Sequence, residues 1–184
     1  MLSRARAASA AAAVILVAGA SVGTVSASPT RAHAPKTVSA MPALDQQVID
    51  AINATRAEHG LHPLRFSGRL GAAASFHSNE MAQLGFFSHA SADGTSSSSR
   101  MARYYPRAGY RRWHVGETMV WYSPRLGAAG AVADWLSSPI HRAILLSGVF
   151  REIGVSAVHV AAATGDFHGD EITLVTADFG VRSR

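Results

Sequence analysis

The chain contains no cysteine. Neither a disulfide nor a thiolate metal site is available to brace it, so buried apolar surface must hold it together alone. A domain of about 140 residues buries enough surface on folding to manage this. The constraint has force because the N-terminus reads as an export signal, and exported domains often rely on disulfides. Arg4 and Arg6 form a basic start, Ala7 to about Val22 is apolar, and Val25, Ser26 and Ala27 offer a small-residue cleavage site. A retained anchor would need about 20 apolar residues, whereas this core is shorter, rich in alanine and interrupted by Gly19 and Gly23. Residues 1–27 are therefore read as a secretory signal peptide. No second long apolar run follows, so no transmembrane segment is expected after cleavage, and the protein is expected to be secreted or held at the cell envelope.

Charge narrows the partners. Of the 17 basic residues only Lys36 is not arginine, and losing Arg4 and Arg6 leaves 15 against 12 acidic residues, a formal +3. So mild a surplus is compatible with anionic surfaces but does not mark a nucleic-acid binder.

Residues 28–40 are rich in Ser, Pro, Ala and Thr and read as a disordered linker, which places the domain at 41–184. Leu44, Val48, Ala51, Ile52 and Thr55 recur at helical spacing, stopped by Gly60 and Pro63. A second helix is expected after Ser67, with Leu70, Ala73, Ala74, His77, Met81 and Leu84 buried and Gly85 ending it. Phe86 to Ser99 reads as a loop with an Asp93-Gly94 turn and a flexible serine run, followed by a short helix over Arg100 to Tyr105. Val115 to Tyr122 is expected to be a strand, and Leu126 to Ser137 and Pro139 to Leu146 helical, with Trp135 in the core. Two more strands, around Ile153 to Val160 and Ile172 to Val175, flank a polar hairpin loop. Helices around a small, largely antiparallel sheet define an α+β fold.

Four segments then carry a resemblance. They are His77-Ser78 with Met81-Ala82, Phe87-Ser88-His89 and Asp93-Gly94; Gly116-Glu117-Thr118; Trp135 with Ser138-Pro139-Ile140-His141-Arg142-Ala143-Ile144-Leu145, running into Phe150-Arg151-Glu152-Ile153-Gly154-Val155; and Asp178-Phe179-Gly180. In this order, over residues 44–180, the chain resembles the bacterial branch of the CAP superfamily, also called the SCP domain. The resemblance implies a three-layer α-β-α sandwich. It also implies a central cleft with two histidines and two glutamates that in several members bind a divalent metal. Carried over by motif, these are His89, Glu117 and His141. Ser138 stands where the family has its second glutamate, so the set implied here is short of one acid.

Two neutral imidazoles and one carboxylate suit zinc, with water completing the tetrahedron and acidified enough to attack near neutral pH. The alternative is a hydrogen-bonded polar cluster that shapes the cleft without metal. Elsewhere, His77 on an apolar helical stripe reads as a satisfied core group. His114 is expected on the opposite sheet face from Glu117. Asp166, His168, Asp170 and Glu171 read as a solvated turn, because the glycine and spacing of a calcium loop are absent. No G-x-S-x-G elbow accompanies Ser88 or Ser91. Arg100, Arg103, Arg107, Arg111 and Arg112 interleave with Tyr104, Tyr105, Tyr110 and Trp113, which reads first as a soluble face; the alternative is a surface for lipid headgroups or wall polymers.

The expectation is thus a secreted ligand-binding or interaction module taking a small apolar or anionic ligand such as a lipid, a sterol-like molecule or a wall polymer. The alternative is a metal-assisted hydrolase in which His89 and His141 bind the ion and Glu117 is a third ligand or the catalytic general base. One carboxylate fills both roles poorly, which favours binding. A third possibility is a structural envelope protein.

Overall fold

A computed structural model describes residues 37–184; the signal at 1–27 and the linker up to residue 36 lie outside the described residues. In chain order the elements are β1 (Val38–Ala40), α1 (Pro42–Glu58), β2 (Arg65–Phe66), α2 (Gly68–Leu84), α3 (Ser97–Tyr104) and β3 (Arg112–Tyr122). These are followed by α4 (Ala128–Ser137), α5 (Pro139–Leu145), β4 (Glu152–Ala163) and β5 (Asp170–Ser183). The sheet runs β1-β4-β5-β3 with antiparallel neighbours, and β2 lies parallel to the start of β4.

The alternation along each strand sends side chains to two helical layers. Ile153, Val155 and Ala157 of β4 and Val175, Ala177 and Phe179 of β5 pack with Val48 and Ile52 of α1 and Val132 and Trp135 of α4. The intervening residues Val158, Val160, Ile172 and Leu174 meet Met81 and Ala82 of α2, while Leu70 and Ala73 pack with Met101 and Tyr105 near α3. The expected α+β fold with three α-β-α layers is therefore present.

Local chemistry accounts for the helix ends. Pro42 starts α1, where its missing N–H costs nothing. Gly85 closes α2 in the left-handed conformation at φ 75°. Ser138, extended, precedes Pro139 at the first position of α5. Arg56, 1 % exposed, then pins the far end of α5 by donating to the carbonyls of Leu145 at 2.6 Å and Ser147 at 3.0 Å. Trp135 is fully buried, as expected, and its indole N–H reaches the Met119 carbonyl at 3.0 Å.

Three expectations are corrected, and one strand is added. The tail of the proposed linker is strand: Val38 and Ala40 register with Val160 and Val158, and the Met41 amide donates to Ala157 at 3.0 Å. The ordered domain so begins before Met41, because an unpaired edge of β4 supplies backbone partners that composition does not reveal. The serine run is not a flexible loop: the Ser96 hydroxyl accepts from the Ser99 amide at 3.3 Å, and Ser97 opens α3. Leu84, placed in the buried stripe, is 62 % exposed at the last residue of α2. Finally, β2 is too short to leave a periodic signal in the sequence.

Candidate functional site

Glu117 lies on β3 directly across from Asp178 of β5, which in turn faces Gly154 of β4. Strand alternation points the first two toward the α2/α3 layer, onto the buried side of the sheet. Glu117 is 4 % exposed and Asp178 fully buried. Arg100 of α3 descends on them, itself fully buried, with a guanidinium nitrogen on Glu117 Oε2. Its other terminal nitrogen donates to the His89 carbonyl at 3.1 Å and the Ser91 hydroxyl at 3.2 Å. The remaining oxygen, Glu117 Oε1, meets His89 Nδ1 at 2.8 Å. Both carboxylate oxygens of Glu117 are therefore engaged.

His89 sits in the loop after α2, and His77 holds that loop. The His77 ring contacts Glu80 at 3.1 Å through Nδ1 and the Ser88 carbonyl at 2.8 Å through Nε2, while Glu80 accepts from the Ala92 amide at 3.2 Å. The expected satisfied core histidine thus positions the residue beside His89. The His89 side chain stays 53 % exposed, so its Nε2 edge is the part open to a ligand. His141, in the first turn of α5, brings its ring centroid to 6.2 Å from that of His89, with planes inclined 55°. Burial first, then the neighbouring His89, holds its pKa below the usual imidazole value, with Asp134 pulling the other way. His141 Nδ1 is buried without a hydrogen-bond partner. Sequence reading left Asp134 aside; it lies next to Trp135 and accepts from the Tyr122 hydroxyl at 3.1 Å.

Asp178 is the second carboxyl of this cluster. No donor reaches either of its oxygens. Burial chiefly, and the Glu117 charge next, push its pKa well above the ordinary carboxyl range, while Arg100 pulls it back. The charges explain this: one buried guanidinium balances one buried carboxylate, so the second carboxyl is favoured in its protonated form. A protonated Asp178 can also donate to Glu117. An unfolded chain releases this proton near the ordinary carboxyl value of 3.8, whereas the folded chain keeps it to higher pH. Stability accordingly falls as pH rises between those two values and is level below both. Asp178→Asn, isosteric with the protonated form, is expected to lose this slope. Urea midpoints from pH 4 to 9 check it: the variant gains on the wild type as pH rises, and parallel curves would refute the protonated state.

Of the remaining candidates, His114 is exposed, three residues before Glu117 and on the other sheet face. Asp166 accepts from the Phe87 amide at 2.9 Å, and Glu171 contacts His159 at 3.0 Å, so the hairpin acids serve local structure. Arg100 belongs to the buried cluster and not to the arginine-aromatic face. Among the described residues, no group of three or more His, Asp or Glu side chains is arranged to hold a metal ion. The imidazole centroids, 6.2 Å apart, would have to close by about 1 Å for the two rings to share a tetrahedral ion at the usual metal–nitrogen distances. Glu117 does not fit as a direct ligand while Arg100 and His89 hold its oxygens.

A three-layer α-β-α domain with an imidazole pair beside a buried carboxylate defines an SCP-type module. The family model described as the cysteine-rich secretory protein (CAP) family matches residues 49–177, and the chain belongs to this family. An extracellular SCP-domain protein of Bacillus anthracis superposes with a TM-score of 0.58 at 25 % identity, covering 75 % of this chain and 40 % of that one. An outer surface protein of Borrelia burgdorferi gives 0.57 at 20 % identity, covering 75 % and 92 %. A cysteine-rich secretory protein of Staphylococcus aureus gives 0.50 at 19 %, covering 75 % and 38 %. The chain thus spans well under half of the Bacillus and Staphylococcus proteins. No curated protein matches. Family membership supports an extracellular interaction module in general terms, and no helix among the described residues is long and apolar enough to cross a membrane.

Proposed function

We propose that this is a secreted ligand-binding module whose recognition groups are the imidazoles of His89 and His141. The observation that carries the reading is the engagement of Glu117. A general base needs a free carboxylate oxygen, and both of its oxygens are taken by Arg100 and His89. Asp178, the other acid of the cluster, is fully buried. Glu117 therefore acts through His89, holding Nδ1 so that the opposite ring edge faces outward, in the manner of carboxylates that orient histidine ligands. A neutral His141 and an oriented His89 suit the anionic or hydrogen-bonding head of a small ligand, and Ile140, 74 % exposed in the same turn as His141, offers apolar surface for the rest of it.

If a divalent ion such as zinc is bound, His89 and His141 would hold it, and it would supply Lewis acidity at the cleft. The test follows the imidazole NMR resonances of the purified protein during a zinc titration, beside an assay panel of ester, peptide and phosphodiester substrates. His89 and His141 are expected to respond together, His89→Ala is expected to abolish the His141 response, and Glu117→Gln is expected to weaken binding by about 10–100-fold without abolishing it. No substrate is expected to turn over. Turnover that disappears in Glu117→Gln would overturn the binding reading in favour of a hydrolase.

A further inference from the structure

The strand register gathers arginine at one end of the sheet. Arg112 opens β3 opposite Ser183, Arg182 faces Trp113, and the Arg111 amide donates to the Ser183 carbonyl at 3.0 Å. Glu152 opens β4 opposite Gly180, with Arg151 just before it, and Arg65 of β2 registers with Glu152. Among residues 65–66, 111–112, 151–152 and 182–184, six are arginine and Glu152 alone is acidic. Arg65, Arg111, Arg112, Arg151 and Arg184 are exposed and Arg182 is half-buried.

Glu152 is the single carboxylate among them, and it accepts from the Tyr105 hydroxyl. None of the six is in an ion pair among the described residues. The opposite end of the sheet, at Asp166, Asp170 and Glu171, is acidic, so charge is segregated along the strands.

Such a row is unfavourable to itself. Neighbouring strands lie about 4.8 Å apart, so β2, β4, β5 and β3 spread the guanidinium groups over about 15 Å with Glu152 as the single counter-charge between them. Arg182 is held in place by stacking, 4.0 Å from the Tyr105 ring centroid and 4.8 Å from that of Tyr110. Ordering one guanidinium in advance lowers what a ligand must spend to organise it.

We propose that this end of the sheet is a docking surface for a linear polyanion of phosphodiester or polyphosphate type, such as an anionic wall polymer. A row across several strands meets successive charges of a chain, which one small anion cannot do, and guanidinium forks match phosphate oxygens. A bilayer is the poorer occupant, because most of the rings here are turned inward. Trp113 donates its indole N–H to the Tyr105 carbonyl at 2.9 Å and Tyr105 is fully buried, while Phe66 is 63 % exposed. One exposed ring beside this many guanidinium groups is little apolar surface to insert.

The test measures binding of the purified protein to inorganic polyphosphate against salt concentration. Orthophosphate and phosphatidylglycerol vesicles are run in parallel. The variant Arg111→Gln/Arg112→Gln removes two members of the row. Arg103→Gln/Arg125→Gln removes the same charge elsewhere, at residues that face Asp93 and Glu171. The wild type is expected to bind polyphosphate with a steep salt dependence. The first variant is expected to bind about tenfold more weakly at low salt, with a slope reduced by about 2, and the control is expected to stay within about twofold of the wild type. Equal losses in both variants would reduce the effect to net charge and overturn the proposal. So would orthophosphate binding as tightly as the polymer, or vesicle binding without polyphosphate binding.

Discussion

Replacing Arg100 by methionine is expected to cost the domain about 3–5 kcal/mol of stability, the penalty for removing one partner of a buried charge cluster. Methionine fills much of the volume, so packing contributes little of that loss. What remains is the charge of Glu117, at 4 % exposure beside a fully buried Asp178, with its guanidinium partner gone. The guanidinium also holds the His89 carbonyl and the Ser91 hydroxyl, so the loop presenting His89 loosens as well. Urea unfolding gives the size of the effect, and a double variant gives its cause. Adding Glu117→Gln to Arg100→Met removes the stranded charge and is expected to recover about 1–2 kcal/mol. A cost below about 1 kcal/mol for Arg100→Met would mean that water or a rearranged side chain reaches the carboxylates, and the account of Asp178 as a protonated acid would fall with it.

Gly154→Ala is expected to be at least as damaging, at about 4 kcal/mol or more, or to prevent folding altogether. A Cβ placed there would lie 1.9 Å from the Gly71 amide nitrogen and 2.2 Å from the Leu70 carbonyl carbon. Both are backbone atoms of α2, so no rotamer change relieves the clash and the whole helix must lift from the sheet. Lifting it would separate Leu70 and Ala73 from Met101 and Tyr105, and with them the seat of α3 that delivers Arg100. Gly148→Ala is the matched control: its Cβ would meet only a Leu61 methyl carbon at 3.9 Å, and a change within about 0.5 kcal/mol is expected. Thermal melts of the two variants decide the point. Similar melting temperatures would show that the α2–β4 approach tolerates a methyl group.

These two residues also show how unevenly the site could be read from the chain. Glu117, His89 and His141 were legible because each stands in a short motif, and His77 and Trp135 because apolar periodicity placed them in the core. Arg100 was grouped with the surface arginines, since a charged residue in a polar helix carries no mark of burial. Asp178 did leave a signal, an acid inside the apolar run from Ile172 to Phe179. A strand buried on both faces hides its alternation, and nothing local says that the acid faces another carboxyl. The misplaced linker boundary and the serine run have the same origin: in each, hydrogen bonds decide the conformation where composition alone reads as loop.

By itself the sequence determined the order and kind of the larger elements, because helix and strand periods, proline and glycine stops and serine caps act within a few residues. It also determined that an apolar core must replace disulfides. Only the tertiary structure decided which charges meet. Glu117 and Asp178 are 61 residues apart in the chain, yet antiparallel register sets them side by side, and the same register collects arginines on and beside four strands at one end of the sheet. Pairing depends on which strands become neighbours, a property of the whole packed molecule that no short stretch of chain contains.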